Sequence, residues 1–135
     1  MKLPCYVDRL MIVVTSTSPH VVELFSGVVL VGVAIVLALT PGIWERSTAF
    51  TVIAQLAPRT TWATIMLMCG TAQLMALLGG GKIQTRLLAT AFAAGIYLVF
   101  TWGLALAAEP TTGIVTWGGI SALVLWATWR LRTLE

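Results

Sequence analysis

The sequence predicts an all-α integral membrane protein: a bundle of four transmembrane helices with an interfacial amphipathic helix in its first loop. Three observations predict it. Charged residues make up 10% of the 135-residue chain and hydrophobic residues 59%, with a mean hydropathy of +0.95. A soluble domain carries about a quarter of its residues as Asp, Glu, Lys and Arg, so this chain could not cover a water-exposed surface. The apolar residues also gather into four stretches near the roughly 20 residues that a helix needs to cross a bilayer core. None of the four alternates apolar with polar residues, as the strands of a transmembrane barrel do. The composition thus excludes an ordinary cytosolic enzyme, a nucleic-acid binder and a disordered chain, which needs low hydrophobicity and high charge.

Residues 1–19 read as a cytoplasmic tail, in which LMIVVT (Leu10 to Thr15) is too short to span. No apolar run precedes Cys5, so Leu3-Pro4-Cys5 is not expected to be a lipoprotein cleavage site, and no cleavable signal peptide is expected. A transmembrane domain covers 20–130. Its first span is 20–40, with Ser18 as N-cap and Pro19 at the first helical position, and Pro41-Gly42 ends it. The long first loop contains STAFTVIAQLA (Ser47 to Ala57). Helical spacing there puts Phe50, Ile53, Ala54 and Ala57 on one face and Ser47, Thr48, Thr51 and Gln55 opposite, which predicts a short helix in the outer interface. The second span, 61–78, follows the breaker Pro58 and stops at Gly79-Gly80-Gly81. The third, 87–107, precedes Glu109-Pro110; the fourth is 113–129, and 131–135 form a cytoplasmic tail.

Basic residues set the orientation. With four spans, Lys2, Arg9, Lys82, Arg86, Arg130 and Arg132 share one side, and Arg46 and Arg59 the other. The positive-inside rule then puts both termini in the cytoplasm. Tryptophan gives the same answer. Trp44, Trp62, Trp102 and Trp117 fall near the outer boundaries and Trp126 and Trp129 at the inner end of the fourth span, where indoles anchor at headgroup level.

Ionisable groups inside hydrocarbon are costly and usually functional. Glu23 is the candidate, one turn into the first span and three residues after His20, so the two can share a helix face. It reads either as a proton-coupled carboxylate or as an interfacial one favoured by the helix dipole. Gln73, midway along the second span, is a candidate for an interhelical hydrogen bond or, less simply, a pore lining. Small residues recur at four-residue spacing: Ala34 and Ala38; Ala72, Ala76 and Gly80; Ala91 and Gly95; Gly103 and Ala107; Gly118 and Ala122. Such faces let helix backbones approach closely. Four helices have too few interior faces to use them all, so self-association is expected, with Ala72, Ala76 and Gly80 the first choice of contact.

Nothing supports enzyme chemistry, a cofactor or a metal. There is no Ser-His-Asp set, paired carboxylates or HExxH, and a lone histidine cannot build paired haem ligands or a His-rich metal site. Cys5 and Cys69 show no CxxC spacing, and Cys69 reads as a packing residue. Gly79-Gly80-Gly81-Lys82 lacks the leading glycine of a phosphate loop and follows no strand, so it reads as a tight turn. The expected partners are the lipid bilayer, other copies and other membrane proteins, with no nucleic acid.

From Trp62 to Arg132 the chain resembles small four-span membrane proteins of bacteriophage and prophage genomes. The resemblance is one of layout. It is carried by LMALLGGG (Leu74 to Gly81), Arg86 opening the third span, TWGLAL (Thr101 to Leu106) and the closing ALVLWATWRLR (Ala122 to Arg132). It implies a holin-like function: accumulation in the bacterial cytoplasmic membrane and permeabilisation by oligomers. The alternatives are a non-catalytic anchor or assembly subunit of a phage or host complex, and a small proton-coupled transporter using Glu23. The glycine and tryptophan pattern that small multidrug transporters carry around their third helix is absent here.

Overall fold

The computed structural model describes residues 18–107 and 112–133. The segment Leu10 to Thr15, Cys5 and the Glu109-Pro110 breaker lie outside them. Every regular element described is helical: α1 (Pro19–Leu39), α2 (Pro41–Arg46), a 3-10 turn (Thr48–Phe50), α3 (Thr51–Leu56), α4 (Arg59–Leu78), α5 (Ile83–Ala105) and α6 (Thr112–Arg132). The helices α1, α4, α5 and α6 are each long and apolar enough to cross a membrane. The chain is an all-α bundle with the make-up of a multi-pass membrane protein.

The ends of α1 follow from its sequence. Ser18 caps it through its hydroxyl, which accepts from the His20 N–H at 3.4 Å, and Pro19 stands in the first turn, where its missing N–H costs nothing. At the other end the Arg59 guanidinium donates to the carbonyl oxygens of Leu37 and Ala38, which have no partner within the helix. The stop after α4 is a left-handed cap. Gly80 has φ +64°, and the Gly81 N–H reaches back to the Ala76 carbonyl at 2.9 Å. Only a residue without Cβ takes that conformation cheaply. Gly80, expected as a helix-packing residue, is therefore an exposed turn residue. The third and fourth spans are longer than expected: α5 starts at Ile83 rather than 87, since no breaker separates Gln84, Thr85 and Arg86 from it, and α6 runs on to Arg132.

In the bundle α1 packs most extensively on α4, and α5 on α6. The α1–α4 crossing is close because two glycines meet there. A Cβ on Gly70 would stand 2.9 Å from the Gly27 carbonyl oxygen, and one on Gly27 would stand 2.8 Å from the Leu74 side chain. Leu30, Met66, Tyr97 and Phe100 are fully buried in the interior, while Phe25, Met68, Met75, Phe92 and Val115 face outward. Large apolar residues outside and a filled interior suit a lipid solvent, which does not penalise exposed hydrocarbon.

The first loop departs from the expected interfacial helix. Its amphipathic stretch is split into the 3-10 turn and α3, and Pro41-Gly42, expected only as a stop, opens α2. The apolar face turns onto the bundle rather than the bilayer. Ile53 is fully buried against Gly103, Phe50 and Ala57 are half-buried, and Ala54, expected on the same face, is exposed. The buried Trp62 indole donates to the Ile53 carbonyl at 3.2 Å and fixes the loop there.

This end of the bundle is an aromatic cluster. Trp44 stacks on Phe50 at 5.2 Å, Trp62 meets Phe100 edge-on at 5.1 Å, and Phe100 stacks on Trp117 at 5.0 Å. Trp44 and Trp62 are thus core residues and Trp117 is half-buried, whereas all three were expected as interface anchors. Aromatic surfaces of this size gain more by packing on one another under the loop than by standing at its rim. Trp102 and Trp129 are exposed and free to anchor, with Trp126 half-buried.

Candidate functional site: a buried polar column

Helices α1 and α5 start at the same end of the bundle, and each carries a charged residue about one turn in. Glu23 on α1 is 1% exposed and Arg86 on α5 is 12% exposed. The Arg86 Nη2 donates to both carboxylate oxygens of Glu23 at 2.8 Å, and its Nε donates to Oε2 at 3.0 Å. The fork geometry of a guanidinium matches a carboxylate, which makes this the strongest kind of side-chain pair. His20, exposed at the mouth of the pair, presents Nδ1 to Arg86 Nη2 at 2.5 Å. Arg86 can only donate there, so the ring nitrogen is the acceptor of that contact. The Thr90 hydroxyl, one turn on, bonds the Arg86 carbonyl at 2.8 Å.

The column continues inward. Ser26, one turn past Glu23, donates its hydroxyl to Gln73 Oε1 on α4 at 3.1 Å, and its carbonyl accepts from the buried Tyr97 hydroxyl on α5 at 2.9 Å. Three helices are therefore tied at one residue. Beyond Tyr97, Thr101 and Ser121 pair their hydroxyls at 3.3 Å across α5 and α6. Gln73 Nε2 is the one buried side-chain donor among the described residues without a partner. Glu23 has both oxygens engaged and points at a fixed cation, an arrangement that joins helices and offers no open acid to a substrate.

Of the residues singled out from sequence, the structure joins Glu23 and His20 through Arg86, and gives Gln73 an interhelical bond to Ser26. Arg86 itself was read as a loop cation and as the opening of the third span, not as a partner for Glu23. The signal for it was present: with four spans the first turns of the first and third lie on one side, and a carboxylate buried there needs a cation. Ser26 and Tyr97 carried no signal, being common in any helix. The small residues divide. Ala34 and Ala76 are buried within the bundle and Gly118 is half-buried near Thr101, while Ala72, Ala91, Gly95 and Ala122 face outward. The second-span set is thus not a single contact stripe, because successive members fall inside, outside and in the turn.

Fold and site together define a helical membrane-spanning bundle closed by a buried ion pair and a chain of hydroxyl and amide bonds. Compared with protein-family models, curated proteins and solved structures, the chain matches none.

Proposed function

We propose that the protein is a non-catalytic, holin-like membrane protein that self-associates in a bacterial cytoplasmic membrane and permeabilises it. The observation that carries this reading is the closed interior of the single copy. Tyr97, Phe100, Leu30 and Met66 fill it, and Glu23–Arg86 and Ser26–Gln73–Tyr97 tie its helices together. Movement of solutes then needs several copies, and Ala91 and Gly95, one turn apart on the outer face of α5, supply a surface for close approach. The bidentate Arg86 speaks against Glu23 as a freely titrating transport carboxylate. The same closed bundle would also serve as an inert anchor for a phage or host assembly.

One experiment separates these readings: induced expression of the full chain alone, followed with a potential-sensitive dye. Abrupt depolarisation after a delay supports permeabilisation. An unchanged potential, with another membrane protein co-purifying, supports the anchor and overturns the proposal.

The orientation belongs to the same reading: both termini in the cytoplasm, from six basic residues against two. Single cysteines at Thr48 and Gln84, in a chain otherwise free of cysteine, test it. An impermeant maleimide should label position 48 in intact cells and spare position 84; labelling of 84 from outside contradicts it.

A further inference from the structure

The helices α4 and α5 are joined by a tight turn, yet they do not close on each other along their outward side. A groove of about 440 Å³ runs between them, lined by Ile65, Cys69, Ala72, Ala89, Phe92 and neighbouring apolar side chains, with Thr85 its one hydroxyl-bearing residue. Its floor is made by small residues. Cys69 Sγ approaches the Ala89 carbonyl at 4.0 Å, and Ala72 and Ala89 leave room beside it.

The groove has a length and a polarity. It follows α5 from Thr85 to Ile96, eleven helical rises and about 16 Å. That is about half of the 30 Å hydrocarbon core, the depth of one leaflet. Its Thr85 end lies at the start of α5, beside the exposed Lys82, which forms no ion pair among the described residues. No side chain caps this helix start, so its first N–H groups also face that end. Arg86, the other cation there, is engaged by Glu23.

We propose that this groove holds one acyl chain of an anionic phospholipid, with the phosphate at Lys82 and the first turn of α5. An apolar slot one leaflet long, open sideways to the hydrocarbon and ended by the Lys82 cation, fits a lipid. A helix of a second copy would need a seam running the full span. Basic positions at the ends of transmembrane helices select anionic headgroups by the same attraction. The inference is independent of the lesion reading, since an anchor would carry the same groove.

The test uses the full chain with Cys5→Ser, purified in detergent and titrated with phosphatidylglycerol or phosphatidylcholine. The readout is the alkylation rate of Cys69. The proposal predicts that phosphatidylglycerol slows alkylation at about five-fold lower concentration than phosphatidylcholine, the contribution of one lysine near an anionic headgroup. Lys82→Gln should bring the two lipids together. Native mass spectrometry should show phosphatidylglycerol retained by this chain and lost from Ala89→Phe, which fills the slot. Alkylation that responds equally to both lipids, or to neither, overturns the proposal. So does a Cys69–Cys69 crosslink between copies that forms regardless of lipid, which would assign the groove to a second copy. Should Ala89→Phe fail to fold, the Cys69 and Lys82 measurements, which leave the groove walls unaltered, decide the matter.

Discussion

Removing either member of the Glu23–Arg86 pair leaves the other charge without its counter-charge. Loss of one partner of a buried pair costs about 3–5 kcal/mol, whereas replacing both by apolar residues of similar volume is often close to neutral. Glu23→Gln and Arg86→Leu should therefore each destabilise the bundle by about 3 kcal/mol or more, and the double variant Glu23→Leu/Arg86→Leu should recover most of that loss. Unfolding of the purified chain in mixed micelles checks this; three equal losses would mean that the pair is not the unit. Ser26→Ala should cost less, about 0.6 kcal/mol, the mean for a hydrogen bond between membrane helices. At these positions the sequence was half legible. Glu23 and Gln73 stood out because a polar group in an apolar run is rare. Arg86 did not, because a cation near a loop serves topology equally well, and only the fold brings it 2.8 Å from a carboxylate 63 positions away.

The crossing of α1 and α4 depends on Gly27 and Gly70, and a side chain at either must displace its neighbour. Gly70→Val meets backbone and should destabilise the bundle by about 1–3 kcal/mol, as overpacking does. Gly95→Ala meets no atom within 4 Å and should be stabilising by up to about 1 kcal/mol, the difference in helix propensity. Thermal unfolding of the two variants beside the unaltered chain decides it; equal loss from both would contradict the assigned crossing. Helix existence and approximate span limits followed from hydropathy and from Pro and Gly alone, because a 20-residue apolar run in a membrane has few other solutions. Which small residues face inward did not follow. Ala72 and Ala76 look equivalent in sequence, and only packing separates the exposed one from the buried one. The first loop was missed for a related reason. Its apolar face would suit a bilayer interface or a protein surface, and the notch at Gly103 that receives Ile53 is formed by a helix fifty residues away.

Taken as a molecule, the bundle buries its ion pair and the Ser26–Gln73–Tyr97 bonds and turns mostly hydrocarbon and small residues outward. On the proposed reading, activity in the membrane lies on the outer surface and depends on how many copies meet. Gly95 is the position at which this can be probed without disturbing the single copy, because its Cβ space is open and its neighbour one turn back, Ala91, is exposed as well. The most direct measurement compares Gly95→Leu with the unaltered chain at matched expression, scoring crosslinked oligomers in membranes and the time of depolarisation in the same cells. On this account, fewer oligomers and delayed or abolished depolarisation are expected for Gly95→Leu, with the single copy no less stable to heat than the unaltered chain. Oligomers and depolarisation both equal to those of the unaltered chain would contradict it.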